Sequence, residues 1–162
     1  MARTPEDEVV APPTEDTTQR RMPMLLRRAW YGLNQAFRRR IAHIGITPDQ
    51  FTVLRTLTEG DERGITQREL AQCMSSDPNT IASLLERMEK AGLLERGAHE
   101  RDRRANRIRL LPPGIKKYEK ARGVALKLQT QILETLSPAR RAKFLEELSA
   151  IADACKDVAD GK

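Results

Sequence analysis

Five arginines fall between positions 101 and 109, at Arg101, Arg103, Arg104, Arg107 and Arg109. A polyanion responds to a local patch of charge more than to a protein's total, so the cluster outweighs the net charge of +6. DNA, RNA, an anionic membrane surface and an acidic protein are all compatible with it. Other chemistry has few carriers. No P-loop, GxGxxG, HExxH or GxSxG segment occurs. Two histidines, His43 and His99, leave imidazole general-base chemistry few candidates, and His99 beside the arginines suits phosphate contact or plain solvation. Cys73 and Cys155 stand far apart, with no CxxC or Cys/His ligand pattern, and read as small apolar residues facing inward from helices. The expectation is a protein with no metal, no cofactor and no enzymatic activity.

Charge at this density needs a support that holds it in solvent, and the flanking residues supply one. Residues 92–110 read as two short strands joined by a loop, anchored by Leu94, Ile108 and Leu110. Upstream, Asp77 caps a helix that Pro78 begins and Gly92 stops. Ile81, Leu84, Leu85 and Met88 face inward, and the other face carries Asn79, Thr80, Ser83, Glu86 and Arg87. A shorter helix opens on the capping box Thr66-Gln67-Arg68-Glu69 and is buried through Leu70, Ala71 and Met74. Before it, Thr47-Pro48-Asp49-Gln50 opens a helix buried through Phe51, Leu54 and Leu57 and ended by Gly60. Gly64-Ile65 follows as a minimal strand or turn. Helix, turn, helix and basic hairpin in this order make a winged helix-turn-helix. Such a unit lays one helix in the DNA major groove and the hairpin against the backbone or minor groove.

Long amphipathic helices bracket this unit. The first, over 22–44, has an apolar stripe of Leu26, Ala29, Leu33, Phe37 and Ile41, widened by Trp30, Ala36 and Ile44. Pro112-Pro113-Gly114 starts another, running to about 136 with Ile115, Tyr118, Ala125, Leu128, Ile132 and Leu136 on its stripe. Ser137-Pro138 turns the chain into the last, with Leu145, Leu148, Ile151, Ala152 and Cys155. The predicted fold is mainly α, with about six helices and a small β-hairpin wing. Residues 47–111 form the winged DNA-binding domain, and 22–46 with 112–160 form a helical dimerisation region. Residues 1–21, acidic and rich in proline, read as a disordered tail. Terminal helices of this kind leave their stripes poorly covered unless a second copy packs on them about a twofold axis. Burial within one larger monomer is the alternative. No apolar run approaches the roughly 18 residues of a membrane span, and the first residues do not resemble a signal peptide, so no membrane partner and a cytoplasmic location are expected.

Taken together, these residues resemble a MarR-family (multiple antibiotic resistance regulator) transcription factor over about 22–158. Leu84-Leu85-Glu86-Arg87-Met88-Glu89-Lys90-Ala91-Gly92-Leu93-Leu94-Glu95-Arg96, then Asp102-Arg103-Arg104, then Arg107-Ile108-Arg109-Leu110 carry the resemblance, with Thr47-Pro48-Asp49-Gln50-Phe51-Thr52-Val53-Leu54 beside them. The resemblance implies that Asp102 orients the wing and that Arg104 enters a minor groove, where a narrow A·T-rich tract favours a guanidinium. Arg101 and Arg103 join it at the DNA. The recognition helix carries over onto Ser76, Asp77, Pro78, Asn79, Thr80, Ser83 and Arg87. There Asn79 suits adenine, Thr80 and Ser83 suit bases or phosphates, and Asp77 is a structural cap. Many members have a basic residue where this chain has Ser83, and positions 77–83 hold no positive charge, so the wing must supply much of the affinity.

The family implies a homodimer on double-stranded DNA with a pseudo-palindromic operator, acting as a repressor released by a small, often aromatic, acid. Trp30, Tyr31, His43, Phe51 and Tyr118 are the candidate ligand residues, unless these rings serve the core. Arg38, Arg39 and Arg40 either pair an anionic ligand or form a solvated face. A cysteine in the first helix, which peroxide-sensing members use, is missing. The competing expectation is a winged-helix module that binds protein and not DNA.

Overall fold

In the computed structural model, residues 21–60, 64–98 and 106–161 are described. Residues 1–20 of the expected tail, the expected wing loop over 99–105 and residues 61–63 lie outside them. Contacts divide the chain into two units, 1–36 and 37–162. Helix α1, Met22–Ile41, crosses that boundary. In the first unit its apolar positions Leu26, Trp30 and Leu33 are exposed, and Tyr31 with them.

The second unit begins with Phe37 and Ile41, both buried. The expected helix over 22–44 ends early as a regular α-helix: its last turn, Ala42–Ile44, tightens into a 3-10 turn closed by Gly45 at φ 71°. Carbonyls at a helix end lack intrahelical partners. Here the ammonium of Lys117 reaches across to donate to the Ile44 and Gly45 oxygens at 2.9 and 3.1 Å.

Helix α2, Pro48–Glu59, opens on the full capping box, with Gln50 N–H donating to Thr47 Oγ1 and Thr47 N–H to Gln50 Oε1. Its buried face is Phe51, Val53 and Leu54, and the expected Leu57 is only half-buried. Gly60 does end the helix, in extended rather than left-handed conformation. Strand β1, Ile65–Thr66, hands over directly to α3, Gln67–Cys73, because Thr66 is both a strand residue and the helix cap. Ser75 adopts φ 48°. Its N–H donates to Gln72 O and that of Ser76 to Ala71 O, a Schellman turn with serine in the left-handed position. Cys73 and Cys155 are exposed in the single chain, contrary to the inward placement expected of small apolar residues: Cys73 lies off the buried Leu70–Ala71 face of α3, and Cys155 lies on a last helix that buries no residue.

Helix α4, Pro78–Lys90, buries Ile81, Leu84, Leu85 and Met88 as its periodicity dictates. It ends in a second Schellman turn at Gly92, φ 66°, where Gly92 N–H donates to Glu89 O and Leu93 N–H to Met88 O. Strands β2, Leu94–Ala98, and β3, Asn106–Leu110, run antiparallel with Leu94 opposite Leu110 and Arg96 opposite Ile108. β1 adds to the other side of β3, pairing Ile65 with Ile108, so the hairpin becomes a three-stranded sheet ordered β1-β3-β2.

Helix α5, Pro112–Leu133, follows at once. Tyr118 stacks on Phe51 at 5.8 Å, and Phe51 meets Phe37 edge-on at 4.9 Å. Arg40 donates to Gln131 Oε1, a second tie between the end of α1 and α5. Ile115 and Ile132, on the expected apolar stripe of this helix, are exposed in the single chain. Helix α6, Pro138–Ala159, buries no residue, and Phe144, Leu145, Leu148, Ile151 and Val158 are open to solvent.

Candidate nucleic-acid interface

The exposed face of α4 gathers Asn79, Thr80, Ser83 and Arg87, with Ser76 half-buried just before the helix. Apolar anchoring on the opposite face fixes this face toward solvent. Asp77 organises the entry: its Oδ1 accepts the N–H groups of Asn79 at 3.1 Å and Thr80 at 2.9 Å, while Oδ2 accepts the Thr80 hydroxyl at 2.5 Å. The Thr80 hydroxyl, followed by these backbone N–H groups, holds the Asp77 carboxyl below its ordinary pKa. Its negative charge sits on the positive end of the helix dipole, which supports the structural reading of Asp77 as a cap.

No basic residue occupies 77–83, yet the face is less neutral than that stretch suggests. Long side chains on a helix lean toward its N-terminus. Arg87 does so, its Nε donating to the Ser83 carbonyl at 3.3 Å, which lays its guanidinium back over Ser83. One turn on, Lys90 is neutralised by Glu86 at 2.7 Å.

The wing's root is braced against the same helix. Glu89 Oε1 accepts the Arg96 backbone N–H at 3.1 Å, and Oε2 accepts the Arg96 Nε at 3.0 Å and Nη2 at 2.6 Å. The Arg96 guanidinium holds the Glu89 carboxyl below its ordinary range. β2 is an edge strand, so this carboxylate satisfies an N–H that no neighbouring strand can reach. Sequence inspection missed the pair because its seven-residue spacing across a turn has no periodic signature. Arg107, counted among the clustered arginines, turns inward and donates to the Gly64 carbonyl. Arg109 stays exposed, opposite Glu95. Arg101, Asp102, Arg103 and Arg104 lie outside the described residues.

The five residues expected at a ligand site separate into two kinds. Phe51 and Tyr118 are core residues stacked on each other. Trp30 and Tyr31, 64% and 61% exposed, and His43 are open to solvent. Among the described residues, no group of three or more His, Cys, Asp or Glu side chains is gathered for a metal ion, and no helix is long and apolar enough to cross a membrane.

A capped polar helix preceded by a short helix and followed by a braced antiparallel ribbon defines a winged helix-turn-helix. Residues 44–105 match the family model described as MarR family. Over 92 residues the chain is 28% identical to the HTH-type transcriptional regulator BilQ of Clostridium symbiosum, and over 101 residues 26% identical to a putative transcriptional regulatory protein for the hcr operon of Thauera aromatica. These stretches cover 57% and 62% of this chain but 64% and 60% of the relatives, under two thirds of their length. The transcriptional repressor CouR bound to a 23-mer DNA duplex has the same fold, with a TM-score of 0.77 at 25% identity over 88% of this chain and 99% of CouR. CouR from Rhodococcus jostii RHA1 bound to p-coumaroyl-CoA superposes with a TM-score of 0.72 at 24% identity, covering 81% and 91%. Residues 44–105 are thus similar to the MarR family, and the described residues have the fold of a winged helix-turn-helix protein.

Proposed function

We propose that the chain is a homodimeric, sequence-specific DNA-binding transcriptional regulator, acting as a repressor that a small ligand releases. The observation that carries this reading is the exposed face of α4, where Asn79, Thr80, Ser83 and Arg87 stand clear of the core on a helix braced to the wing root by Glu89 and Arg96. Asn79 would contact adenine, and Ser76, Ser83 and Arg87 bases or phosphates. Arg101, Arg103 and Arg104 would follow the backbone and minor groove, with Asp102 orienting the loop.

A second copy is the partner that the uncovered helices call for. The apolar side chains of α6 would be buried on a copy of themselves, placing two α4 helices on half-sites about one helical turn apart. A ligand would act by changing the separation or tilt of those helices. The candidate ligand residues, of types that suit an aromatic acid, are Trp30 and Tyr31 in the first unit and His43, Phe51 and Tyr118 in the second.

Fluorescence anisotropy with operator DNA at graded salt tests the central reading: affinity falls steeply with salt through counterion release. Salt-insensitive binding overturns it. Arg104→Ala weakens binding while dimer and melting temperature hold; wild-type affinity in that variant removes Arg104 from the interface. Light scattering at micromolar concentration reads the dimer directly, and a monomer there contradicts the second-copy argument. Trp30 is the one tryptophan, so its emission reports an aromatic acid at that position.

A further inference from the structure

We propose that Asp77 fixes the hydrogen-bond polarity of Thr80, so that α4 selects a base carrying an exocyclic amino group, adenine or cytosine, where Thr80 meets the major groove. The proposal rests on the DNA-binding reading above and assigns one element of its specificity.

An N-cap carboxylate needs only one oxygen for its task, and in Asp77 that oxygen is Oδ1, which takes both backbone N–H groups. Oδ2 is left over and lies 2.5 Å from Thr80 Oγ1. An ionised carboxylate has lone pairs and no hydrogen, and a threonine hydroxyl has one hydrogen. The contact therefore exists only with the Thr80 hydrogen directed at Asp77. What Thr80 offers outward is lone pairs alone.

A free hydroxyl reads donors and acceptors alike, which is why serine and threonine ordinarily discriminate little between bases. Thr80 has lost that freedom. In the major groove adenine N6 and cytosine N4 donate, whereas guanine N7 and O6 and thymine O4 accept. Phosphate oxygens also only accept. Thr80 is thus matched to an amino group and mismatched to guanine, thymine and the backbone. Its rotamer is held by the same bond, on a helix start that Pro78 and the doubly bonded cap keep rigid. For the side chains of Asn79 and Ser83 no bond of this kind is seen among the described residues, so their polarity adapts to the base presented.

Asp77→Asn separates capping from polarity. The asparagine carbonyl can still accept the N–H groups of residues 79 and 80, but its amide donates to Thr80 Oγ1 and frees the hydroxyl hydrogen to point outward. Selection of operators from randomised duplexes with the full-length dimer is the test. Wild type prefers adenine or cytosine on one strand, by about tenfold, at one position per half-site. Asp77→Asn levels that preference or moves it toward guanine or thymine, with other positions unchanged. Thr80→Val, which leaves the cap intact, abolishes it, and Thr80→Ser retains it. Those two variants decide the matter if Asp77→Asn does not fold. A preference unchanged in Thr80→Val, or in a folded Asp77→Asn, overturns the proposal while leaving DNA binding standing. Wild-type protein that selects no sequence overturns the DNA-binding reading itself.

Discussion

Replacing Gly114 by alanine is the most direct probe of how the winged unit is closed. Gly114 lies in the first turn of α5, and a Cβ there would sit 2.1 Å from the carbonyl oxygen of Leu93 and 3.4 Å from Leu54 Cδ2. An ordinary carbon–oxygen contact is about 3.3 Å or more, so the two backbones must part by about 1 Å. That same Leu93 oxygen accepts the Leu111 N–H at 3.0 Å. Overpacking a close contact costs about 1–3 kcal/mol. Weakening the hydrogen bond adds about 0.5–1.5 kcal/mol. The better helix propensity of alanine returns at most about 1 kcal/mol. With the full return of about 1 kcal/mol the net loss centres on about 2 kcal/mol, or about 4–8 °C in melting temperature for a chain of this size. Gly92→Ala is the control. Gly92 has φ 66° and nothing within 4 Å of an added Cβ, so only left-handed strain applies, about 1 kcal/mol. Thermal unfolding followed by circular dichroism ranks the two. Gly114→Ala melting with wild type, or above Gly92→Ala, refutes the close-approach argument.

Ser75→Gly removes left-handed strain at the α3–α4 turn and raises stability by about 0.5–1 kcal/mol, the gain being limited by added freedom in the unfolded chain; a lower melting temperature contradicts it. The Asp77 carboxyl, lowered in the folded state, contributes stability that is present above its unfolded pKa of about 4 and lost as pH falls through the folded value. The stability gap between wild type and Asp77→Ala therefore holds at neutral pH and narrows as pH falls from about 4 through the folded value, because the protonated carboxyl still accepts the cap N–H groups; a gap independent of pH removes the charge from the cap. Glu89→Ala leaves the edge N–H of Arg96 without its acceptor, and amide exchange at Arg96 quickens selectively while α4 stays protected. Unchanged protection at Arg96 means that the brace does not hold the wing root.

The caps, the turns and the inward face of α4 were readable in the sequence because each is set by atoms a few residues apart. Thr47 with Gln50 and Thr66 with Glu69 form both capping boxes as their spacing requires. Gly92 closes α4 in the left-handed conformation for which glycine has no steric penalty. The third strand was only half legible: Ile65 looked like a minimal strand or turn, and its partner Ile108 lies 43 residues on. In α2 Val53 is fully buried beside Leu54 while Leu57 is only half-buried, because burial depends on what α5 and the sheet bring against the helix.

Local chemistry thus determined a great deal by itself: the order of helices, their ends, the winged unit, and which side chains of α4 face outward. Hydrogen bonds between near neighbours and a 3.6-residue period are written in short stretches of sequence. Tertiary structure decided how the charged and aromatic residues are spent. It stacked Phe51 and Tyr118 in the core, turned Arg107 inward and gave Arg96 to Glu89. It also brought Leu93 so close to position 114 that only glycine fits. The Glu89–Arg96 pair depends on how one turn folds β2 back on α4, and the others on distances between segments remote in the chain, which packing sets and no local pattern encodes.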